Sequence, residues 1–163
     1  MSLNHLIRRL AFALLVLAAA AARAEHFDID LTVEGPQDRQ ESHSDECPPF
    51  EGSLKRPLFH AKAGEPLSFQ FLFTNVYPHG ALKRAGVLYY IMPLKTGPLR
   101  YPPKSMAGAV LSGKFLLDFK SHGKLGLKQK FQIPEAGHYL LRAESYDSGA
   151  EHEHFSAIEL MIE

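Results

Sequence analysis

The amino-acid sequence predicts an all-β fold, a single antiparallel β-sandwich of seven to eight strands. Three observations predict it. Beyond the first 24 residues, apolar residues recur at every second position in most segments. Turns rich in proline and glycine separate these segments. No segment there keeps the 3.6-residue period of a helix for more than two turns. A chain of 163 residues is long enough for one domain of this kind.

Seven strands follow from the alternation, at residues 27–33, 67–74, 84–92, 107–119, 125–133, 138–146 and 154–162. The second strand has the clearest pattern, because Phe69, Phe71 and Phe73 alternate with other residues on the opposite face. The third strand is apolar on both faces, which indicates a central position in its sheet. The fourth strand is expected to kink at Gly113, since glycine inside a strand is typical of a bend.

Two segments before the second strand are more polar. Residues 35–52 are rich in polar residues and proline, so they predict a long loop. Residues 54–60 predict a short eighth strand, and Pro57 would confine this strand to the edge of a sheet.

Residues 134–143 refine the fold class. They read Pro-Glu-Ala-Gly-His-Tyr-Leu-Leu-Arg-Ala, a turn followed by Tyr139 near the start of the penultimate strand. This segment resembles the tyrosine corner of immunoglobulin-like and fibronectin-type domains. The resemblance implies an immunoglobulin-like sandwich in which the Tyr139 hydroxyl bonds to the backbone at the sheet corner. The chain lacks the cysteine pair of true immunoglobulin domains, because Cys47 is its one cysteine, and it has no tryptophan.

The first 24 residues have the three-part order of a signal peptide. Arg8 and Arg9 precede an apolar run from residue 10 to 21, and Ala22-Arg23-Ala24 is a small-x-small cleavage site. The run is short for a membrane anchor, which is the alternative reading. General secretion is favoured over the twin-arginine route, because residues 10–12 fit the twin-arginine signal poorly. We therefore expect a signal peptide at 1–24 and a periplasmic or secreted domain at 25–163, with no membrane span after cleavage.

Charge argues against a nucleic-acid partner. Cleavage after Ala24 would remove three of the 18 basic residues and none of the 18 acidic ones, which leaves a formal net charge of −3. Such a domain has no basic surface of the kind that binds nucleic acid.

Histidines suggest a site at one end of the sandwich. In an immunoglobulin-like topology, the loops after the second, fourth and sixth strands share one end with the start of the first strand. Five of the eight histidines of the exported part fall there: His26, His79, His122, His152 and His154. His43, His60 and His138 do not.

The last hairpin allows a finer prediction. Pairing Tyr139, Leu141 and Ala143 with Leu160, Ile158 and Ser156 would place Ser145 near His154 and Asp147 near His152. His152 and His154 are two residues apart, so they would share the core-facing side of one strand. Imidazole suits copper, zinc, nickel and iron, and copper is favoured here, with zinc as the second choice.

The predicted metal site therefore comprises His152, His154, His79, His26 and Asp147. Asp147 would serve as a ligand or orient an imidazole. Cleavage at Ala24 would also place the new amino terminus on Glu25, next to His26, where the amine and the imidazole could chelate one ion.

Three functions remain open from the sequence. The favoured one is an exported binding protein that holds a metal ion at the loop end. The second is a structural module without metal, which would pair with another envelope protein through its loops or an exposed strand edge. The third is a small copper-dependent enzyme. We favour a non-enzymatic role, since no Gly-x-Ser-x-Gly or His-Glu-x-x-His motif occurs and the sequence indicates no substrate cleft.

Overall fold

The computed structural model describes residues 27–46, 56–76, 80–94, 105–146 and 154–163. These residues form ten strands: β1 (Phe27–Glu34), β2 (Arg39–Ser42), β3 (Asp45–Glu46), β4 (Leu58–Ala61), β5 (Leu67–Asn75), β6 (Leu82–Pro93), β7 (Leu111–Phe119), β8 (Lys124–Phe131), β9 (Gly137–Tyr146) and β10 (His154–Ile162). The predicted signal peptide lies outside the described residues, and so does Cys47.

The strands form two sheets. One sheet has the order β2-β1-β5-β8, and the other has the order β3-β10-β9-β6-β7 with β4 also paired to β10. All of these pairings are antiparallel except that of β4 with β10. Apolar side chains from the inner faces of both sheets form one buried cluster between them. The all-β sandwich predicted from the alternation is therefore confirmed.

The segment predicted as a long loop is different. Residues 39–42 form β2, which pairs with β1, and residues 45–46 form β3, which pairs with the start of β10. An edge strand buries little, so its polar residues remain solvated and give no apolar alternation to detect. The loop prediction for residues 35–52 was wrong over these two strands.

Two other strands start four residues later than expected. The predicted edge strand within 54–60 is β4, which runs from Leu58 to Ala61 parallel to β10. The strand predicted to start at residue 107 starts at Leu111, because Met106 to Ala109 form a turn closed by the N–H of Ala109 and the carbonyl of Met106 at 3.0 Å.

Aromatic side chains connect the two sheets. From β5, Phe69 and Phe71 place their ring centroids 5.7 and 5.6 Å from that of Tyr89 on β6 of the other sheet. On β7, Phe115 lies 6.0 Å from Tyr89 and 6.0 Å from Phe73. These are ordinary distances for favourable tilted and edge-to-face ring contacts. The strict alternation of β5 thus supplies one wall of the core.

The tyrosine corner is present at the start of β9. The Tyr139 hydroxyl donates a hydrogen bond to the carbonyl oxygen of Glu135 at 3.0 Å. Its ring is buried in the core. The geometry implied by the resemblance at residues 134–143 is therefore observed.

Gly113 makes room for a bond between the sheets. The ring of Tyr89 lies against Gly113 of β7 so closely that a Cβ atom there would overlap it. This approach lets the Tyr89 hydroxyl donate to Oε1 of Gln129 on β8, in the other sheet, at 3.0 Å. The glycine that predicted a kink serves here for close packing of a neighbouring ring.

We predict that Gly113→Ala lowers the free energy of unfolding by about 1–3 kcal/mol, the usual cost of overpacking a core. Urea denaturation of the variant measures it. Ser112→Ala is the matched control, because Ser112 is the exposed neighbour on the same strand and should change stability by less than about 0.5 kcal/mol. Equal stability of both variants would contradict the close packing of Tyr89 on Gly113.

Candidate functional site

One end of the sandwich gathers the turns that the sequence placed together. Phe27 at the start of β1 pairs with Asn75 at the end of β5, and Thr74 pairs with Lys124 at the start of β8. Gly86 of β6 pairs with Tyr146 at the end of β9. We call this region the loop end, comprising Phe27, Asn75, Gly80, residues 120–124, Tyr146 and His154.

Asn75 ties two of these turns together. Its side-chain amide donates to the carbonyl oxygens of Gly80 at 2.8 Å and of Lys120 at 2.9 Å. Its backbone N–H donates to the carbonyl of Gly123 at 2.9 Å. The residue is 1% exposed. A buried amide with these partners holds the β5–β6 connection against the β7–β8 turn.

The β9–β10 pairing has the register that the sequence predicts. Leu160 pairs with Tyr139, Ile158 with Leu141, and Ser156 with Ala143. The apolar members of β10 on this side, Ile158 among them, belong to the core between the sheets. The predicted register is therefore confirmed along the described length of the hairpin.

His154 lies where this register continues. Its backbone N–H donates to the Ser145 hydroxyl at 2.9 Å, which confirms the predicted proximity of the two residues. His154 is 5% exposed and alternates in step with Ser156 and Ile158, so it lies on the core-facing side of β10. Its backbone also pairs with Glu46 of β3. A buried imidazole thus sits at the loop end.

The other residues of the predicted metal site lie outside the described residues. These are His26, His79, His152 and Asp147. Each is close in sequence to a described residue of the loop end: His26 precedes Phe27, His79 precedes Gly80, Asp147 follows Tyr146, and His152 is two residues before His154.

The other histidines are dispersed. His122 is exposed on the β7–β8 turn, where its φ of 54° is left-handed. His60 is exposed on β4, and Nε2 of half-exposed His138 lies 2.9 Å from a Glu159 carboxylate oxygen. Within the described ranges, no three His, Cys, Asp or Glu side chains form a group that could hold a metal ion.

His43 has an acidic partner. Its Nδ1 lies 3.0 Å from a carboxylate oxygen of Asp30 on β1. The hydrogen bond to Asp30, followed by the charge of that carboxylate, raises the pKa of His43 above its ordinary value of 6.5. The pair is solvent-exposed, so it is a surface ion pair of small energy.

The sequence did not predict a buried ion pair on β9, on the opposite face of the sheet from His154. Arg142 and Glu144 on β9 are 0% and 2% exposed, and the Arg142 Nε donates to Glu144 Oε2 at 2.7 Å. The Arg142 guanidinium also lies 3.8 Å from the ring centroid of Phe155. Both charges lie on the outer face of the sheet, where alternation predicts solvent. Apolar residues on the same face, Leu140 of β9 with Phe155 and Ala157 of β10, are the sequence signal that this face is covered.

Fold and site together define an all-β sandwich with a buried histidine at the end where its turns meet. No protein-family model and no curated protein matches this chain. Among solved structures, the soluble domain of PmoD from Methylocystis sp. ATCC 49242 (Rockwell) is similar, with a TM-score of 0.44 and 15% sequence identity. The match covers 83% of this chain and 90% of that chain. This similarity assigns neither a function nor a ligand.

The described residues contain no helix that could cross a membrane.

We predict that Asn75→Asp destabilises the fold by about 2–3 kcal/mol at neutral pH. The substitution keeps the side-chain volume but replaces the two N–H donors by an oxygen, which leaves the carbonyls of Gly80 and Lys120 facing a carboxylate. Urea denaturation checks it. Thr74→Ala, one residue earlier and on the opposite face, should cost less than about 1 kcal/mol. A neutral Asn75→Asp variant would refute the role of Asn75 at the loop end.

A second prediction concerns His43. Asp30→Asn should lower the pKa of His43 toward 6.5, because the hydrogen bond to a carboxylate is lost. The pKa of His43 is higher in the folded chain than in the unfolded chain. The pair therefore stabilises the fold fully at pH values below the unfolded pKa. This contribution is lost as the pH rises through the folded pKa. An NMR titration of the His43 ring measures the shift. Glu34→Gln, on the same strand, is the control and should leave the titration unchanged.

Proposed function

We propose that this chain is an exported β-sandwich that binds a transition metal ion at its loop end, with copper the favoured ion. The supporting observation is His154, a buried imidazole on the core-facing side of β10 whose backbone is fixed by the Ser145 hydroxyl. Burial already restricts the rotamers of this imidazole, so it has little side-chain entropy to lose on binding, which favours it as a ligand.

The loop end also supplies a reason for several ligands to meet. Described residues within two positions of His26, His79 and His152 belong to the loop end. Asn75 holds two turns of the loop end together. In an extended strand residues two apart share a face, so the proposal pairs His152 with His154. His79 and His26 complete the ligand set, with Asp147 as a further ligand or as the group that orients an imidazole.

The choice of metal follows from the donor set. The donors would be imidazole nitrogens and an amino-terminal amine. Among the divalent first-row ions, copper(II) binds such nitrogen ligands most tightly. Zinc is the second choice, because a set of imidazoles and one carboxylate also suits its tetrahedral geometry. The proposal includes export, since cleavage after Ala24 would create the amine next to His26.

The test is metal binding by the full chain, expressed with its own leader and purified after export. We expect mass spectrometry to give the mass of a chain that begins at Glu25. Calorimetric titration should show one copper(II) ion bound per chain. Electron paramagnetic resonance should show hyperfine coupling to nitrogen ligands. His152→Ala with His154→Ala should weaken binding by about 100-fold or more, because removing a ligand or its support typically costs 10–100-fold each.

The matched control is His60→Ala with His138→Ala, since both histidines pair with Met161 at the end of β10 that lies away from the loop end. This variant should bind copper within about two-fold of the unmodified chain. Because His154 is buried, thermal unfolding of every variant must show a folded protein, and His79→Ala provides a second test outside β10. A chain that binds neither copper nor zinc, or equal losses in both double variants, would reject the proposal.

A further inference from the structure

Strand β7 forms an edge of its sheet. Among the described strands it pairs with β6 alone, along nearly its whole length of nine residues. Its inward residues pack partly on the core, while Ser112, Lys114, Leu116 and Asp118 are exposed on the outer face. Leu116 is 46% exposed, the highest value for a large apolar side chain in the described part of the chain. A long edge of this kind can accept another strand unless charge or a bulge prevents it.

The edges of the other sheet differ from β7. Strand β8 presents Lys124, Lys128 and Lys130 on its outer face without an acidic residue, so two copies of β8 would repel each other. Strand β2 has four residues and offers little length for pairing. Of these three edges, β7 alone combines positively and negatively charged side chains with an exposed apolar residue.

We propose that two copies of this chain pair through β7, antiparallel, with Leu116 opposite Leu116 of the second copy. This register places Lys114 of each copy opposite Asp118 of the other, and Ser112 opposite Lys120. The Cβ atoms of directly opposed residues in an antiparallel pair lie about 4.5–5.5 Å apart. This distance allows the two leucines to pack and each lysine to form an ion pair with the opposite aspartate. The edge of β7 is therefore complementary to itself.

Neighbouring registers lack this complementarity. In a two-fold pair, outer-face residues must lie opposite outer-face residues. The next allowed register on either side therefore shifts one strand by two residues relative to the other. One step in either direction places Leu116 opposite Lys114 or opposite Asp118. A further step on one side places Lys114 opposite Lys114. The charges thus select a single register.

Contacts within the chain hold both charged side chains on the outer face, on the β6 side of the strand. The Lys114 ammonium lies 3.7 Å from the ring centroid of Tyr146. Asp118 accepts from the backbone N–H of Arg84 at 2.8 Å and lies 3.4 Å from the Lys83 ammonium. The backbone hydrogen bond from Arg84 lowers the pKa of Asp118 below its ordinary value. Both side chains are exposed on the outer face, so in the proposed dimer they would turn from β6 toward the second copy.

The inner face also gains from the pairing. Phe115 and Leu117 are only half-buried, although both point toward the core. In the proposed register Phe115 lies opposite Leu117 of the other copy. The second strand would therefore cover apolar surface that the single sandwich leaves accessible.

The pairing is independent of the proposed metal site. Strand β7 ends at the loop end, and antiparallel strands run in opposite directions, so the two loop ends would lie at opposite ends of the dimer. Loss of the dimer should leave metal binding unchanged. Loss of the metal ligands should leave the dimer intact.

Sedimentation equilibrium of the exported full chain tests the dimer. We expect a monomer–dimer equilibrium that Leu116→Lys weakens by about ten-fold or more, because it places four lysines at the centre of the pairing. Leu58→Lys on β4 and Leu125→Lys on β8, which change similarly exposed leucines, should leave the equilibrium within about two-fold. A monomer at all concentrations, or equal losses in the three variants, would overturn the proposal.

Cross-linking tests the register. In a Cys47→Ser background, Leu116→Cys should form a dimer with a short thiol–thiol cross-linker, since residue 116 faces its own copy. Lys114→Cys should not, because its equivalents would be four positions apart, about 13 Å along the strand. Cross-linking of Lys114→Cys alone, or of neither variant, would overturn the register. Far-ultraviolet circular dichroism of each variant confirms that the sandwich is folded.

Discussion

Contact between Tyr89 and the phenylalanines of β5 is the interaction on which the rest of this structure depends. Neither sheet can bury its inner face alone, and Phe69, Phe71 and Phe73 place three rings on one side of a single strand. Tyr89 meets them from the other sheet, and its hydroxyl continues to Gln129 on the far edge of the first sheet. Because the ring crosses Gly113 to reach that partner, the spacing of β7 and β8 is set by the same side chain. The core and the packing of β7 and β8 against it thus depend on the same side chain.

Much of this fold is predictable from the sequence, because alternation reports directly which face of a strand is buried. The β9–β10 register follows from Leu141 and Ile158 lying inward on both strands, and the observed pairing agrees residue by residue. The tyrosine corner is equally local, since Tyr139 bonds a carbonyl only four residues earlier. For the candidate site the sequence predicts the position of His154 beside Ser145. It also predicts the turns that share the loop end, because strand order and direction determine which turns meet.

Features that depend on distant partners were not predictable in this way. Strand β4 pairs with β10 in parallel across about 100 residues of chain, and nothing in its four residues indicates that partner. The polar strand β2 is a strand only because β1 offers it an edge. Arg142 and Glu144 alternate outward, so their residue types predict solvent, yet both are buried on the outer face with Phe155. Local pattern specifies which side of a strand a residue occupies, whereas burial of that side depends on what else packs there.

That buried pair has a consequence for the loop end. Sliding β9 against β10 by one position would turn every side chain of β9 to the opposite face and move Arg142 and Glu144 into the aromatic core. An ion pair without its solvation or its partners is costly there, so the charges oppose the slip more strongly than apolar residues would. The same slip would turn Ser145 to the outer face and separate it from His154. The position of the histidine is therefore specified twice, by apolar residues such as Ile158 on its own face and by buried charges on the opposite one. A site built at the end of this hairpin inherits that precision, although neither Arg142 nor Glu144 faces it.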